Sequence, residues 1–134
     1  MWDLDDKTKY KKLCEFEIDK IYTWGSTKDR ERREEIRQKA CGNNSVPRNK
    51  SYAFRISIYI YPQRKPCLDI DNVPKLILDA FSKNIIEKDN SEYPDCWLYE
   101  DDCYPSVKII EVGVVKEVES MLDEKVIVEI FECL

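Results

Sequence analysis

The chain has 134 residues, 43% hydrophobic and 37% charged, with a formal net charge of −5, 3 Gly and 6 Pro. Such a length holds one domain with a real core, and the composition excludes a disordered tail or a fibrous repeat. There is no histidine, which removes Ser-His-Asp hydrolases, Cys-His proteases, His-ligated zinc enzymes and imidazole-dependent nucleases.

The three glycines, Gly25, Gly42 and Gly113, stand too far apart to build a P-loop or a dinucleotide-binding turn. Charge is unevenly spread. Residues 1–65 carry 16 Lys and Arg against 10 Asp and Glu, whereas residues 66–134 carry 6 against 17. A basic half joined to an acidic half is the pattern of a phosphate-binding surface beside a cation site, although solvated charge alone produces it too. Six cysteines without a CxxC pair, and no secretory signal, imply reduced thiols in a cytoplasmic protein. No apolar run approaches the ~20 residues that span a bilayer, so no membrane is expected.

Residues 1–12 read as a frayed polar start. Residues 13–22 alternate apolar and acidic side chains as a half-buried strand does. Residues 27–40 follow a Ser26/Thr27 cap, abound in i,i+4 opposite charges and stop at Cys41-Gly42-Asn43-Asn44, which predicts a helix. Its apolar members are little more than Ile36 and Ala40. It should lie on the surface and leave Lys28, Arg30, Arg33 and Arg37 free for a partner.

Residues 51–61 are β-branched and aromatic and end at Pro62, a central strand, with Arg64 and Lys65 at its exit. From Val73 the apolar positions Val73, Leu76, Ile77, Ala80 and Phe81 recur at i, i+3, i+4, i+7 and i+8, an amphipathic helix extending to Asn84. Residues 85–96 read as irregular. Strands at 107–116 and 126–132 close the chain. The fold class expected is α+β: one domain over 1–134, a mixed β-sheet with two main helices packed on it.

The chemistry concentrates in Asp69-Ile70-Asp71-Asn72-Val73-Pro74-Lys75, followed by Asp79. In extended backbone, residues 69 and 71 project to one side about 6.6 Å apart, so that one cation fits between them. Asp71 or Asn72 falls at the helix N-cap, and Lys75 one turn along the same face can neutralise the cluster or a phosphate's extra charge. A second pair, Asp101-Asp102, precedes the strand at Val107. All-oxygen ligands of this kind favour Mg²⁺ or Mn²⁺ over zinc. Carboxylates, a lysine and a basic surface together are what metal-assisted phosphodiester hydrolysis needs.

The series Asp69-x-Asp71-Asn72-x-x-Lys75-x-x-x-Asp79-Ala80-Phe81, then Trp97-x-x-x-Asp101-Asp102, then the strand ending at Lys116 resembles the RusA family of Holliday-junction resolvases over residues 64–116. The resemblance implies a homodimeric, Mg²⁺-dependent endonuclease that cuts four-way DNA junctions symmetrically. Its metal ligands would fall on Asp69, Asp71 and Asp102, assisted by Asp101, and its catalytic lysine on Lys75. An ungapped comparison places Asp89-Asn90 where Asp101-Asp102 stands, so Asp89 competes with Asp102 as the third carboxylate. DNA would be met by Arg64, Lys65, Arg30, Arg33 and Arg37. The alternative is a catalytically inactive DNA- or metal-binding module of the same fold. A DxD glycosyltransferase would need a longer chain, and Asp89 to Asp95 lacks the spacing of an EF-hand calcium loop.

Overall fold

The computed structural model describes residues 2–41 and 46–134. In chain order they form β1 (Tyr10–Ile18), α1 (Asp29–Cys41), β2 (Tyr52–Ile60), α2 (Asn72–Ala80), α3 (Lys83–Asp89), β3 (Val107–Glu117), a 3₁₀ turn (Met121–Asp123) and β4 (Lys125–Cys133). The sheet has the order β1-β4-β2-β3. β4 runs antiparallel to β1 and β2, and β2 parallel to β3. This is the expected α+β domain with a mixed sheet, carrying three helices rather than two.

Parallel pairing of β2 with β3 demands a crossover. Residues 61–106 supply it, and every acidic residue of interest lies on it. Tyr52, Phe54, Ile56 and Ile58 of β2 join Val126, Val128 and Ile130 of β4 in the main core, under the helices. Alternate positions face the other way: Ala53, Ile109 and Phe131 form a smaller cluster closed by Leu4. Residues 1–12 are therefore not a frayed start. Leu4 is 2% exposed, and β1 begins at Tyr10 because Cys133 pairs with it.

α2 buries the whole stripe that its periodicity marked: Val73, Leu76, Ile77, Ala80 and Phe81 are each 2% exposed or less. Phe81 meets Phe16 edge-on at 6.1 Å and Phe54 at 6.3 Å. Leu76→Ala should cost about 2–5 kcal/mol by leaving a cavity there.

α1 departs from expectation. Its inner stripe is Arg33, Ile36, Arg37 and Ala40, and Arg37 is completely buried. Its Nε donates to the Ala80 carbonyl at 2.7 Å, at the end of α2. Its stop at Gly42-Asn43-Asn44 lies outside the described residues. The helix expected to run to Asn84 stops at Ala80, and a separate helix, α3, takes in Lys83, Asn84 and residues 85–89 of the stretch read as irregular; Ser82 stands at its N-cap and Asn90, left-handed at φ 52°, ends it. The thiols also differ from expectation: Cys14, Cys67, Cys103 and Cys133 are free, but Cys96 is disulfide-bonded.

Candidate functional site

Asp69, Asp71 and Lys75 all belong to the start of α2. Residues 70 and 71 form a turn rather than extended chain, with Asn72 N–H donating to the Asp69 carbonyl at 3.2 Å and Val73 N–H to the Ile70 carbonyl at 3.2 Å. The turn brings the two carboxylates together. Asp71, hydrogen-bonded to Asp69 and negatively charged beside it, raises the Asp69 pKa. The Asn72 amide donates to Asp69 Oδ2 at 3.1 Å and orients it. Asp71 is the N-cap by position, but its side chain makes no capping bond. That carboxylate is left to face outward, and Asp69 and Asp71 are both exposed. The Asn72 carbonyl also accepts Trp24 N–H at 3.0 Å, tying the start of α2 to the chain leaving β1.

Asp71, Lys75 and Asp79 are spaced i, i+4 and i+8, one stripe along α2. Lys75 Nζ donates to Asp79 Oδ1 at 2.9 Å and stands 3.5 Å from Asp102 Oδ2. The DxDNxxK segment and the Asp101-Asp102 pair, about thirty residues apart in sequence, therefore share one place.

What holds Asp102 there is a strand-like run docked on the end of α2. Leu98 N–H donates to the Phe81 carbonyl (3.0 Å), Lys83 N–H to the Tyr99 carbonyl (2.9 Å) and Ser82 Oγ to the Glu100 carbonyl (2.8 Å). Tyr99, fully buried, donates its hydroxyl to the Leu78 carbonyl at 2.7 Å. Trp97 is held between Arg48 and Lys83, 4.5 and 5.2 Å from its ring centre. Asp101 Oδ1 accepts the Asp102 N–H at 3.0 Å and bends the chain towards Lys75.

Burial raises the Asp102 pKa against the opposing charge of Lys75, with Asp79 adding to the rise. Lys75 is raised in turn, chiefly by its hydrogen bond to Asp79, and stays charged. Asp79, 7% exposed, was in the motif but not among the expected site residues. Its position four residues after Lys75 was the available signal.

Asp89 is excluded as the third carboxylate of this site. Both its oxygens are taken: Arg33 Nη2 reaches Oδ1 at 2.7 Å, while Arg33 Nε and Arg37 Nη2 reach Oδ2 at 2.8 and 2.9 Å. The two guanidiniums hold its pKa below the ordinary range despite its burial. The same contacts correct the expected DNA-binding residues. Arg37 is buried, the Arg33 side chain is only 14% exposed, and the exposed Arg30 donates Nε to the Asp89 carbonyl at 2.7 Å. Arg64 is likewise turned to an internal acid, Glu124, at 3.0 Å. Lys65 and Lys28 remain exposed.

The donor chemistry suits a hard cation, since the Asp69 and Asp71 pair is short of positive charge and offers only oxygen. Among the described residues, however, no group of three or more His, Cys, Asp or Glu is already gathered as a metal cage. Asp71 and Asp79 share the α2 stripe with Lys75, and Asp102 approaches Lys75 from the run before β3. No protein-family model matches the chain, and no curated protein matches it. Among the described residues no helix is long and apolar enough to cross a membrane.

Proposed function

We propose that the protein is a Mg²⁺-dependent endodeoxyribonuclease acting on branched DNA in recombination or repair, related to the RusA resolvases its motifs resemble. The observation that carries this reading is the 3.5 Å approach of Lys75 to Asp102. It unites at one surface the two acidic motifs on which the resemblance rests.

In this reading Asp69, Asp71 and Asp102 would hold Mg²⁺ (or Mn²⁺), with Asp101 orienting Asp102. The ion supplies charge neutralisation at the phosphate and activation of the attacking water. Lys75 places its ammonium beside the phosphate to meet the extra negative charge of the transition state. Asp79 is a positioning residue that aims Lys75. Symmetric incision of a four-way junction calls for a second copy about a two-fold axis. The compartment in this reading is the one that holds the DNA substrate.

The test is incubation of the full chain with a labelled four-way junction, with and without Mg²⁺. Cleavage should require the ion and fall about 10²–10³-fold in Asp71→Asn and in Lys75→Met. Equal inertness in both conditions, or undiminished cutting by Asp71→Asn, rejects the enzyme. The ungathered carboxylates favour one second reading, a DNA-binding module of this fold without catalysis. Junction binding that never leads to cutting would establish it.

A further inference from the structure

With Arg33 and Arg37 of α1 committed to Asp89 and Glu34, cations away from that helix gain weight as contacts for a nucleic acid. Just past Asp102 the chain makes a tight turn, with Ser106 and Val107 N–H both donating to the Cys103 carbonyl at 2.8 and 3.2 Å, and enters β3. Tyr104 stands on that turn. It borders a groove of about 380 Å³ whose other walls include Trp2, Tyr10, Lys9 and Lys108, over Ile109.

Three properties of this groove point to one occupant. Trp2 and Tyr104 are 63% and 78% exposed, large aromatic faces left in water, where burial ordinarily takes such rings. Lys9 and Lys108 are both exposed, and neither forms an ion pair among the described residues. Asp6, the acid acting on Lys9, accepts the Thr8 N–H and hydroxyl at Oδ1 and makes no salt bridge with Lys9. No acidic side chain is among the residues lining the groove. Finally, Tyr104 follows Asp102 by two residues, so the turn that carries it continues the chain from the acidic site to the groove, whose floor, Ile109, belongs to the sheet face away from the helices.

Aromatic faces interleaved with unpaired ammonium groups are how proteins hold single-stranded nucleic acid: bases stack on the rings and phosphates lodge on the cations. A base-paired duplex presents no free base face to stack. We propose that this groove binds an unpaired segment of DNA, with bases on Trp2 and Tyr104 and phosphates on Lys9 and Lys108. The assignment of DNA as substrate rests on the nuclease reading above.

The experiment uses the full chain in EDTA. It measures fluorescence anisotropy with a labelled single strand of about 16 nucleotides and with a duplex of that length. Trp2→Ala and Tyr104→Ala should each weaken single-strand binding roughly 5- to 150-fold and leave the duplex nearly unaffected. Lys9→Gln with Lys108→Gln should reduce the slope of log affinity against log salt by about 1.4, at about 0.7 per phosphate. All four positions are exposed, and an unchanged melting temperature confirms folding. If the aromatic variants bind the single strand as tightly as the parent chain, the groove assignment is overturned, whether or not junctions are cut. If junctions are never cut but the aromatic variants do lose strand binding, the nuclease reading fails and the groove stands. If Trp2→Ala or Tyr104→Ala instead turns a dimer into a monomer by light scattering with strand affinity intact, the surface belongs to a second copy, and the proposal is overturned.

Discussion

Two places in this molecule bring carboxylates and cations together, and they are built to opposite ends. Between α1 and α3, Arg33 and Arg37 meet Glu34 and Asp89, two positive charges with two negative, and the Arg37 and Asp89 side chains are almost wholly removed from water. At α2, Asp79 and Asp102 share the single ammonium of Lys75, and at the start of the helix Asp69 and Asp71 face each other with no salt bridge to a cation among the described residues. The first cluster completes its own charge and hydrogen bonding, and Glu34 goes on to accept Ser91 Oγ and the Glu92 N–H. The second keeps a surplus of negative charge, exposed at Asp69 and Asp71. An internally balanced cluster contributes to the fold; a surplus is a standing repulsion that an external cation can relieve. Charge balance rather than the number of acids separates the two.

The widest separation should come from removing one acid from each. Asp89→Ala leaves two guanidiniums without their anion, one of them fully buried, and should cost about 3–5 kcal/mol of stability by denaturant melting. Asp71→Asn should leave the denaturation midpoint unchanged or slightly higher while lowering the proposed Mg²⁺-dependent cleavage about 10²–10³-fold. A loss of stability in Asp71→Asn comparable to that in Asp89→Ala would erase the distinction.

Ligand linkage sharpens the comparison at smaller amplitude. A cation bound only to the folded state at ten times its dissociation constant stabilises by about 1.4 kcal/mol. Mg²⁺ should therefore raise the melting temperature of the parent chain by a few degrees. Asp71→Asn should lose that rise, and Asp89→Asn should keep it from a lower starting temperature. A Mg²⁺ shift that survives Asp71→Asn would place the cation elsewhere.

The two clusters were unequally legible. Spacing alone exposed the α2 site, because DxDNxxK sits at a helix start, where i,i+4 geometry puts Asp71, Lys75 and Asp79 on one stripe. The Val73 to Phe81 periodicity fixed which face was turned inward. What spacing could not give was the partner of a long side chain. Arg30, Arg33 and Arg37 repeat at helical intervals that suit water, DNA or a buried acid equally. The acid that claims them lies 52 to 59 residues later, on a helix of seven residues with two isoleucines. So short an element carries little hydrophobic periodicity; Ser82 before it and Asn90 after it were its better signals. Leu4 was obscure for a related reason, since a single apolar residue in a polar segment does not announce a second sheet face to cover.

The smallest effect, and the finest test of the comparison, is in the pH dependence of stability. Asp89 has its pKa depressed by Arg33 and Arg37, so its contribution is present above the unfolded value, near 3.9, and is lost as pH falls through the lower folded value. Asp69 and Asp102 have raised pKa values, Asp69 from its hydrogen bond and repulsion with Asp71, Asp102 from burial. Their folded forms take up protons more readily than their unfolded forms, so stability is gained as pH falls through the raised values. Acidification from neutral should first stabilise the chain slightly and then, below pH 4, destabilise it. Asp69→Asn with Asp102→Asn should remove the shallow rise and keep the steep fall, whereas Asp89→Asn should flatten the fall and keep the rise. Thermal melts across pH 3 to 7 separate the two arms, and a single monotonic loss in the parent chain would mean that the acidic surplus at α2 carries no repulsion for a cation to relieve.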